Sequence, residues 1–261
     1  MRDHYDLAEL SKKLATIDTD APVELDREKA ALSNFYTPKA YEMFKRLEFK
    51  NLLGRFEETN AEPEDAVFLR TVTDFSEAEE LFGTIAKEEK AGAALLTEET
   101  PKDGPMADRS RLLVGMAVAY GSGEPDVVYF PAEGFLTGDY LKEKLTELQK
   151  QIPVFCVMDG KEFLKDMPDA DEAHLFDAGI AAYLLNPLKS QYSYDDIVKE
   201  YVHRYVPAVE EIFGGSKIPA AGKMTPEQQE SYAGHQAYAV FAAQENMEKL
   251  LKEQGMWDLY R

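Results

Sequence analysis

An α/β domain with a mixed central sheet, preceded by a short helical segment, is the fold that this 261-residue sequence predicts. Three observations carry the prediction. From Ala66 onward, apolar runs of strand length alternate with stretches of helical period. Two of the runs, Arg111–Tyr120 and Asp126–Phe130, flank a Gly-Ser-Gly turn at 121–123 and read as a hairpin. The acidic stretch 57–65, with one proline and no large apolar residue, separates this pattern from a helical N-terminal part.

Taken in order, Leu7, Leu10 and Leu14 recur at helical spacing, and the segment 16–25 breaks that helix at Pro22. A second helix is expected from Thr37 as N-cap and Pro38 at its first position, with Tyr41, Phe44, Leu47 and Leu52 as its stripe and Gly54 as its stop. Domain boundaries follow: 1–57 helical, 58–65 linker, 66–261 α/β. Within the last, Ala66–Thr71 reads as a strand, Ser76 as the cap of a helix reaching about Lys90, and Ala93–Thr97 as a short strand. After the hairpin come a helix over Asp139–Gln151, a strand over Pro153–Met158 and a helix from Lys161. Leu175–Leu185 and Tyr194–Tyr201 read as helices, 214–222 as loop, and Pro226 to about Gln254 as a long helix. A meander followed by strand–helix alternation implies a mixed sheet.

Composition limits the function classes. The net charge is −20, from 49 acids and 29 bases. A protein that grips nucleic acid by itself needs a basic surface to displace phosphate counterions, so strong standalone binding is disfavoured. Cys156, the single cysteine, sits in the apolar run 154–157 and reads as a small buried hydrophobe. With histidines scattered at His4, His174, His203 and His235, no Cys-based zinc site is expected. No stretch approaches the ~20 apolar residues that span a bilayer, and residues 1–20 lack the apolar core of a signal peptide; a cytoplasmic chain with no membrane contact is expected.

The run His174–Pro187, with Phe176-Asp177-Ala178-Gly179 at its start, resembles a helix of the proofreading-exonuclease domain of family A DNA polymerases. Tyr194–Tyr201 is similar to that family's next helix, Leu112–Tyr120 with Gly115 to its second strand, and Val127–Pro131 to its third. Tyr232 heads a long helix as in the family's last exonuclease motif, and Gly255–Tyr260 resembles the connection before the polymerase domain. Lys13–Ile17 and Phe44–Lys50 resemble the end of the family's 5′-nuclease domain. The resemblance covers nearly the whole chain in the expected order. It implies a ribonuclease-H-like, DnaQ-type exonuclease domain after the tail of a 5′-nuclease domain, as part of a longer parent enzyme.

Active members of the family cut the terminal phosphodiester with two divalent ions, Mg or Mn, which need several oxygen ligands. The resemblance places those ligands on an Asp-x-Glu of the first strand, an Asp after the fourth strand and a Tyr-x-x-x-Asp of the last helix. Matched residue by residue, the first aspartate becomes Leu96 while Glu98 survives. Lys161 takes the family's lysine position, which puts Phe163 where the second aspartate belongs. Tyr232 is kept, and Gln236 replaces the last aspartate. Leucine and phenylalanine cannot ligate a metal, so no catalytic residue, metal or cofactor is expected, and Leu96 and Phe163 are expected to fill the emptied cleft.

Beside this stand plainer readings. Glu98 is either a relic ligand or a solvated carboxylate at a strand end. Tyr232 either aligns a water or packs half-buried with a wet hydroxyl. Asp177 is read as a helix-capping or structural acid, Asp195 and Asp196 as helix N-terminal charge, and His235 as a satisfied surface or cleft residue. The expected function is a non-catalytic spacer between the 5′-nuclease and polymerase domains of one parent chain, meeting DNA only through that parent and monomeric alone. Two competitors remain: an active metal-dependent 3′–5′ exonuclease rebuilt from neighbouring acids, and a nucleotide or single-stranded DNA binding module. The second would need a basic or aromatic groove, for which Arg109, Arg111, Lys161 and Lys165 are the candidates.

Overall fold

The structure is a computed structural model, and it describes residues 5–17, 40, 43, 44, 47, 67–100, 110–189 and 192–261. The chain divides into two compact units, Met1–Ala61 and Glu62–Arg261. In the first, helix α1 spans Tyr5–Ala15, and its Leu7, Leu10 and Leu14 stripe is solvent-exposed. Ala40, Met43 and Phe44 are helical. The expected cap at Thr37 and Pro38, the stop at Gly54 and the acidic stretch 57–65 lie outside the described residues.

The second unit is built on a six-stranded sheet: β1 Leu69–Thr71, β2 Lys90–Thr100, β3 Ser110–Tyr120, β4 Asp126–Pro131, β5 Val154–Val157 and β6 Leu175–Asp177. The order is β1-β4-β3-β2-β5-β6. The central pairs β4/β3 and β3/β2 are antiparallel, while β1/β4, β2/β5 and β5/β6 are parallel. This is the expected mixed sheet. The meander supplies its middle, and connections through helices add the outer strands.

Helices cover both faces. On one lie α2 (Phe75–Ile85), α3 (Gly138–Gln151) and α4 (Gly160–Asp166). Their apolar stripes, Ala78, Phe82 and Ile85 from α2 and Leu141, Leu145 and Leu148 from α3, pack on Met116, Val118, Val128 and Phe130. On the other face lie α5 (Ala178–Leu185), α6 (Tyr194–Ile197, continued by a π-helical turn over Val198–Val202), α7 (Val209–Phe213) and the 28-residue α8 (Pro226–Glu253). Ala233, Ala237, Tyr238 and Phe241 of α8 pack on Ala94, Leu96, Ala117 and Val127. The alternation of side chains along β2, with Ala91 and Ala93 in one core and Ala94 and Leu96 in the other, follows from the strand's period of two.

Caps explain the helix starts. The Asp74 and Asp159 carboxylates accept the N–H of Glu77 and Glu162, each at 2.9 Å, and the Thr225 hydroxyl accepts Gln228 N–H in a capping box followed by Pro226. The start of α2 therefore differs from the expected Ser76 cap, because Asp74 makes that bond two residues earlier. That helix also ends at Ile85, and Lys90 already belongs to β2. The expected helix over Leu175–Leu185 begins instead with β6. Leu175, Phe176 and Asp177 pair with Phe155, Cys156 and Val157, a long-range partner that no local period reveals. Asp177 then caps α5, accepting Ile180 N–H at 2.9 Å, and its other oxygen accepts Gly160 N–H at 2.7 Å, so one half-buried carboxylate joins the starts of α4 and α5. Among the described residues no helix is long and apolar enough to cross a membrane.

Candidate functional site

The C-terminal half of β2 carries the first two positions singled out in the sequence. A register shift in the β2–β3 ladder falls between Leu96 and Thr97. Leu96 is buried in the α8-side core, in the same cluster as Ala94, Ala221 and Met224. Thr97, beyond the shift, donates to Asp166 Oδ2 at 3.4 Å. Glu98 is half-buried, and its carboxylate lies against Gly222 in the 3-10 turn Ala221–Lys223.

Tyr232 and Gln236 stand one turn apart near the start of α8. The Tyr232 ring makes edge contacts with Phe213 at 5.4 Å and Tyr194 at 5.8 Å between centroids. Burial pushes the Tyr232 phenol above its ordinary range, and a hydrogen bond with Gln236 works against that shift. Tyr232 packs against the core that holds Leu96, so β2 and α8 contribute to one layer. His235, between them in sequence, is buried; its Nδ1 lies 2.6 Å from the Ser231 carbonyl, and burial lowers its pKa. Cys156 is also buried, which pushes its thiol up and away from reactivity.

Phe163 corrects the sequence-based expectation. It lies in a different core cluster from Leu96. It is buried in the α2/α3-side core, 5.8 Å from the Phe155 ring. The reason lies in α4's other contacts. Glu162 and Asp166, one turn apart, both reach Arg111 of β3, at 2.9 Å to Nη1 and 3.2 Å to Nε. Lys142 of α3 donates to the Arg111 carbonyl at 3.2 Å. With that side of α4 committed to Arg111, Phe163 turns inward under the sheet. Asp166 is buried, and its carboxyl is raised by desolvation, opposed chiefly by Arg111. Arg111 Nε and Asp166 Oδ1 lie within ion-pair distance without hydrogen-bond geometry.

Two groups escaped the sequence reading. Gly115 was seen only as part of a strand, yet a side chain there would overlap the Tyr129 phenol. The bare position lets Tyr129 donate to Gln229 Oε1 at 3.1 Å, and Gln229 in turn donates to the Ala221 carbonyl at 3.0 Å. The Arg111–Glu162–Asp166 group was visible only as scattered charges, because its members lie 51 and 55 residues apart along the chain. The strand-leading Arg111 opposite the acidic end of β2 is the one local signal, since the ladder places it across from Glu99. Of the candidate basic residues, Arg111 serves Glu162 and Asp166 while Lys165 pairs with Glu162; Arg109 lies outside the described residues. Among the described residues, no three His, Cys, Asp or Glu side chains gather closely enough to hold a metal ion.

This architecture is the ribonuclease-H-like exonuclease fold. It matches the catalytic core of RRP6 from Trypanosoma brucei with a TM-score of 0.54, at 16% identity, over 86% of this chain and 59% of that one. In sequence the chain is similar to DNA polymerase I. The chain is 23% identical to DNA polymerase I of Bacillus subtilis (strain 168) over 268 residues, covering 100% of this chain and 28% of that protein. It is 29% identical to DNA polymerase I of Bacillus caldotenax over 192 residues, covering 72% of this chain and 20% of that protein. The chain thus spans about a quarter of the length of these relatives. No family model matches it.

Proposed function

We propose that this chain is a non-catalytic, exonuclease-like region that serves as a structural spacer within a polymerase of the DNA polymerase I kind. The single observation that carries the reading is Leu96. At the position where the resemblance expects a metal-binding aspartate, the chain has a leucine, 4% exposed, packed among Ala94, Ala221 and Met224. A hard divalent cation needs several oxygens, and this position offers none. Two further features support the reading. Phe163 faces the opposite core, and the acids best placed to rebuild a site, Glu162 and Asp166, are held by Arg111. Glu98 and the amide of Gln236 do not fit a pair of divalent ions, and electrostatic stabilisation lost at this scale removes turnover. The partners in this reading are the 5′-nuclease and polymerase domains of the parent chain, with DNA met through the parent in a cytoplasmic enzyme.

The test is incubation of the purified chain with 3′-labelled single-stranded DNA in excess manganese, beside Glu98→Ala. No shortening in either sample is expected. Shortening by the unmutated chain that disappears in Glu98→Ala would overturn the reading and assign a rebuilt exonuclease site.

A further inference from the structure

After α8 the chain turns at Gly255, with a φ of +70°, into a short helix, α9 (Trp257–Tyr260). The turn is fastened by Met256 N–H, which donates to the Leu251 carbonyl at 2.8 Å, and Lys252 Nζ sits over the Trp257 ring at 4.9 Å. This places Tyr260 on β6, the outer strand of the sheet, whose outward backbone groups have no partner strand. Those groups are nonetheless engaged. Leu175 N–H donates to the Glu172 carbonyl. Asp177 gives both of its groups to one side chain: its N–H donates to the Tyr260 hydroxyl at 2.7 Å, and that hydroxyl donates to the Asp177 carbonyl at 3.3 Å. The Tyr260 ring is braced by Phe176 at 5.2 Å and Trp257 at 5.4 Å between centroids. Asp177 is also the residue whose carboxylate accepts Gly160 N–H of α4 and Ile180 N–H of α5. The packing there leaves little slack, since a Cβ on Gly160 would stand 3.0 Å from Asp177 Oδ2 and one on Gly179 2.6 Å from the Met158 carbonyl oxygen. From Gly160, α4 leads to Phe163 in the core of the opposite sheet face and to Arg111 through Glu162 and Asp166.

We propose that α9 is a latch on the β6 edge: by holding both backbone groups of Asp177, the Tyr260 hydroxyl fixes the carboxylate that starts α4 and α5, so that lifting α9 loosens α4 on the other side of the sheet. One oxygen thereby links two helix starts and, through α4, the Arg111 ion pairs to the position of the C-terminal turn. On the spacer reading, which this consequence presupposes and the latch does not, a neighbouring domain that displaces α9 would be felt at α4.

The experiment is amide hydrogen exchange of the whole chain, read by mass spectrometry over the first minutes, in the unmutated protein, Tyr260→Phe and Leu259→Ala. Tyr260→Phe keeps the ring on Phe176 and Trp257 and removes only the hydroxyl, while Leu259, 71% exposed, is a control on the same helix. Tyr260→Phe should speed exchange roughly tenfold in peptides covering 175–182 and 159–167, the factor that a net hydrogen bond supplies to local opening. Peptides of the central strand, 114–120, should stay protected over the same minutes, and Leu259→Ala should match the unmutated protein throughout. Unchanged exchange in Tyr260→Phe would overturn the proposal. So would a rise confined to 175–182, which makes the hydroxyl a local bond with no reach to α4. An equal rise at 114–120 would mark general unfolding, and an equal rise in Leu259→Ala would mark fraying of α9; either also removes the latch. The readout involves no cleavage, so a latch that fails this test leaves the nuclease assay unaffected, and the reverse also holds.

Discussion

The two faces of the sheet are built differently. The α2/α3 face is closed by large side chains, with Phe82, Phe130, Leu141, Leu145 and Phe155 all buried and the rings of Phe82 and Phe130 at 4.8 Å. The α8 face is richer in small ones, with Ala94, Ala117, Ala119, Ala233, Ala237 and Ala239 set among Tyr129, Tyr238 and Phe241 and letting a long helix lie close to the strands. The large-residue face takes in Phe163 as one more ring. The small-residue face keeps polar groups near its edge, among them Glu98, Tyr232, Gln236 and Gln229. A phenylalanine and a leucine that look alike in sequence therefore do different things. Phe163 is packing for a helix clamped by Arg111, whereas Leu96 is an apolar residue at the candidate site itself.

The comparison breaks most clearly at Phe163. Phe163→Ala should cost about 3–5 kcal/mol in urea unfolding, the range for a large buried side chain. A cost below about 1 kcal/mol would move Phe163 to an open cleft and restore the expectation drawn from the sequence.

Arg111→Met comes next, at about 1–3 kcal/mol near neutral pH, since it strands the buried Asp166 carboxylate. The sign with pH follows from Asp166. Its folded pKa is already raised by burial, and removal of Arg111 raises it further. Between the ordinary carboxylate range and that raised value the native state binds more protons than the unfolded state, so stability falls as pH rises. The deficit of Arg111→Met should therefore shrink when unfolding is measured at acid pH. A deficit equal at both pH values would remove Asp166 from the interaction.

A smaller effect is expected from His235 on the α8 face. Its folded pKa is lowered by burial, so the unfolded state binds more protons between that value and the ordinary imidazole range, and stability is lost as pH falls through this window. His235→Gln should flatten the change in melting temperature from neutral to mildly acid pH; an unchanged slope would mean that other groups set it.

The smallest effect belongs to Glu98→Gln, expected within about 0.5 kcal/mol because the side chain is half-buried and, among the described residues, has no ion pair to lose. A loss well above that would make Glu98 a structural anchor of the turn Ala221–Lys223.

Much of the fold was legible because it is written locally. The hairpin around 121–123 follows from two apolar runs and a glycine turn, and the start of α8 was legible at Pro226. Asp177 was legible as a cap, and the structure has it accepting Ile180 N–H. The site was legible as residue types but not as an arrangement. Motif matching located Leu96, Glu98, Phe163, Tyr232 and Gln236, and it treated them as neighbours because it carries no information on which sheet face a side chain enters.

What the sequence determined by itself was the α/β class, the meander and the chemical character of each position, since these depend on near neighbours in the chain and on side-chain type. The tertiary structure alone decided the rest. It made Leu175–Asp177 a strand by giving it β5 as a partner, turned Phe163 inward by binding Glu162 and Asp166 to Arg111, and laid Gly222 on Glu98. Each of these outcomes rests on contacts between residues far apart in the chain, and such contacts exist only once the sheet has brought their elements together.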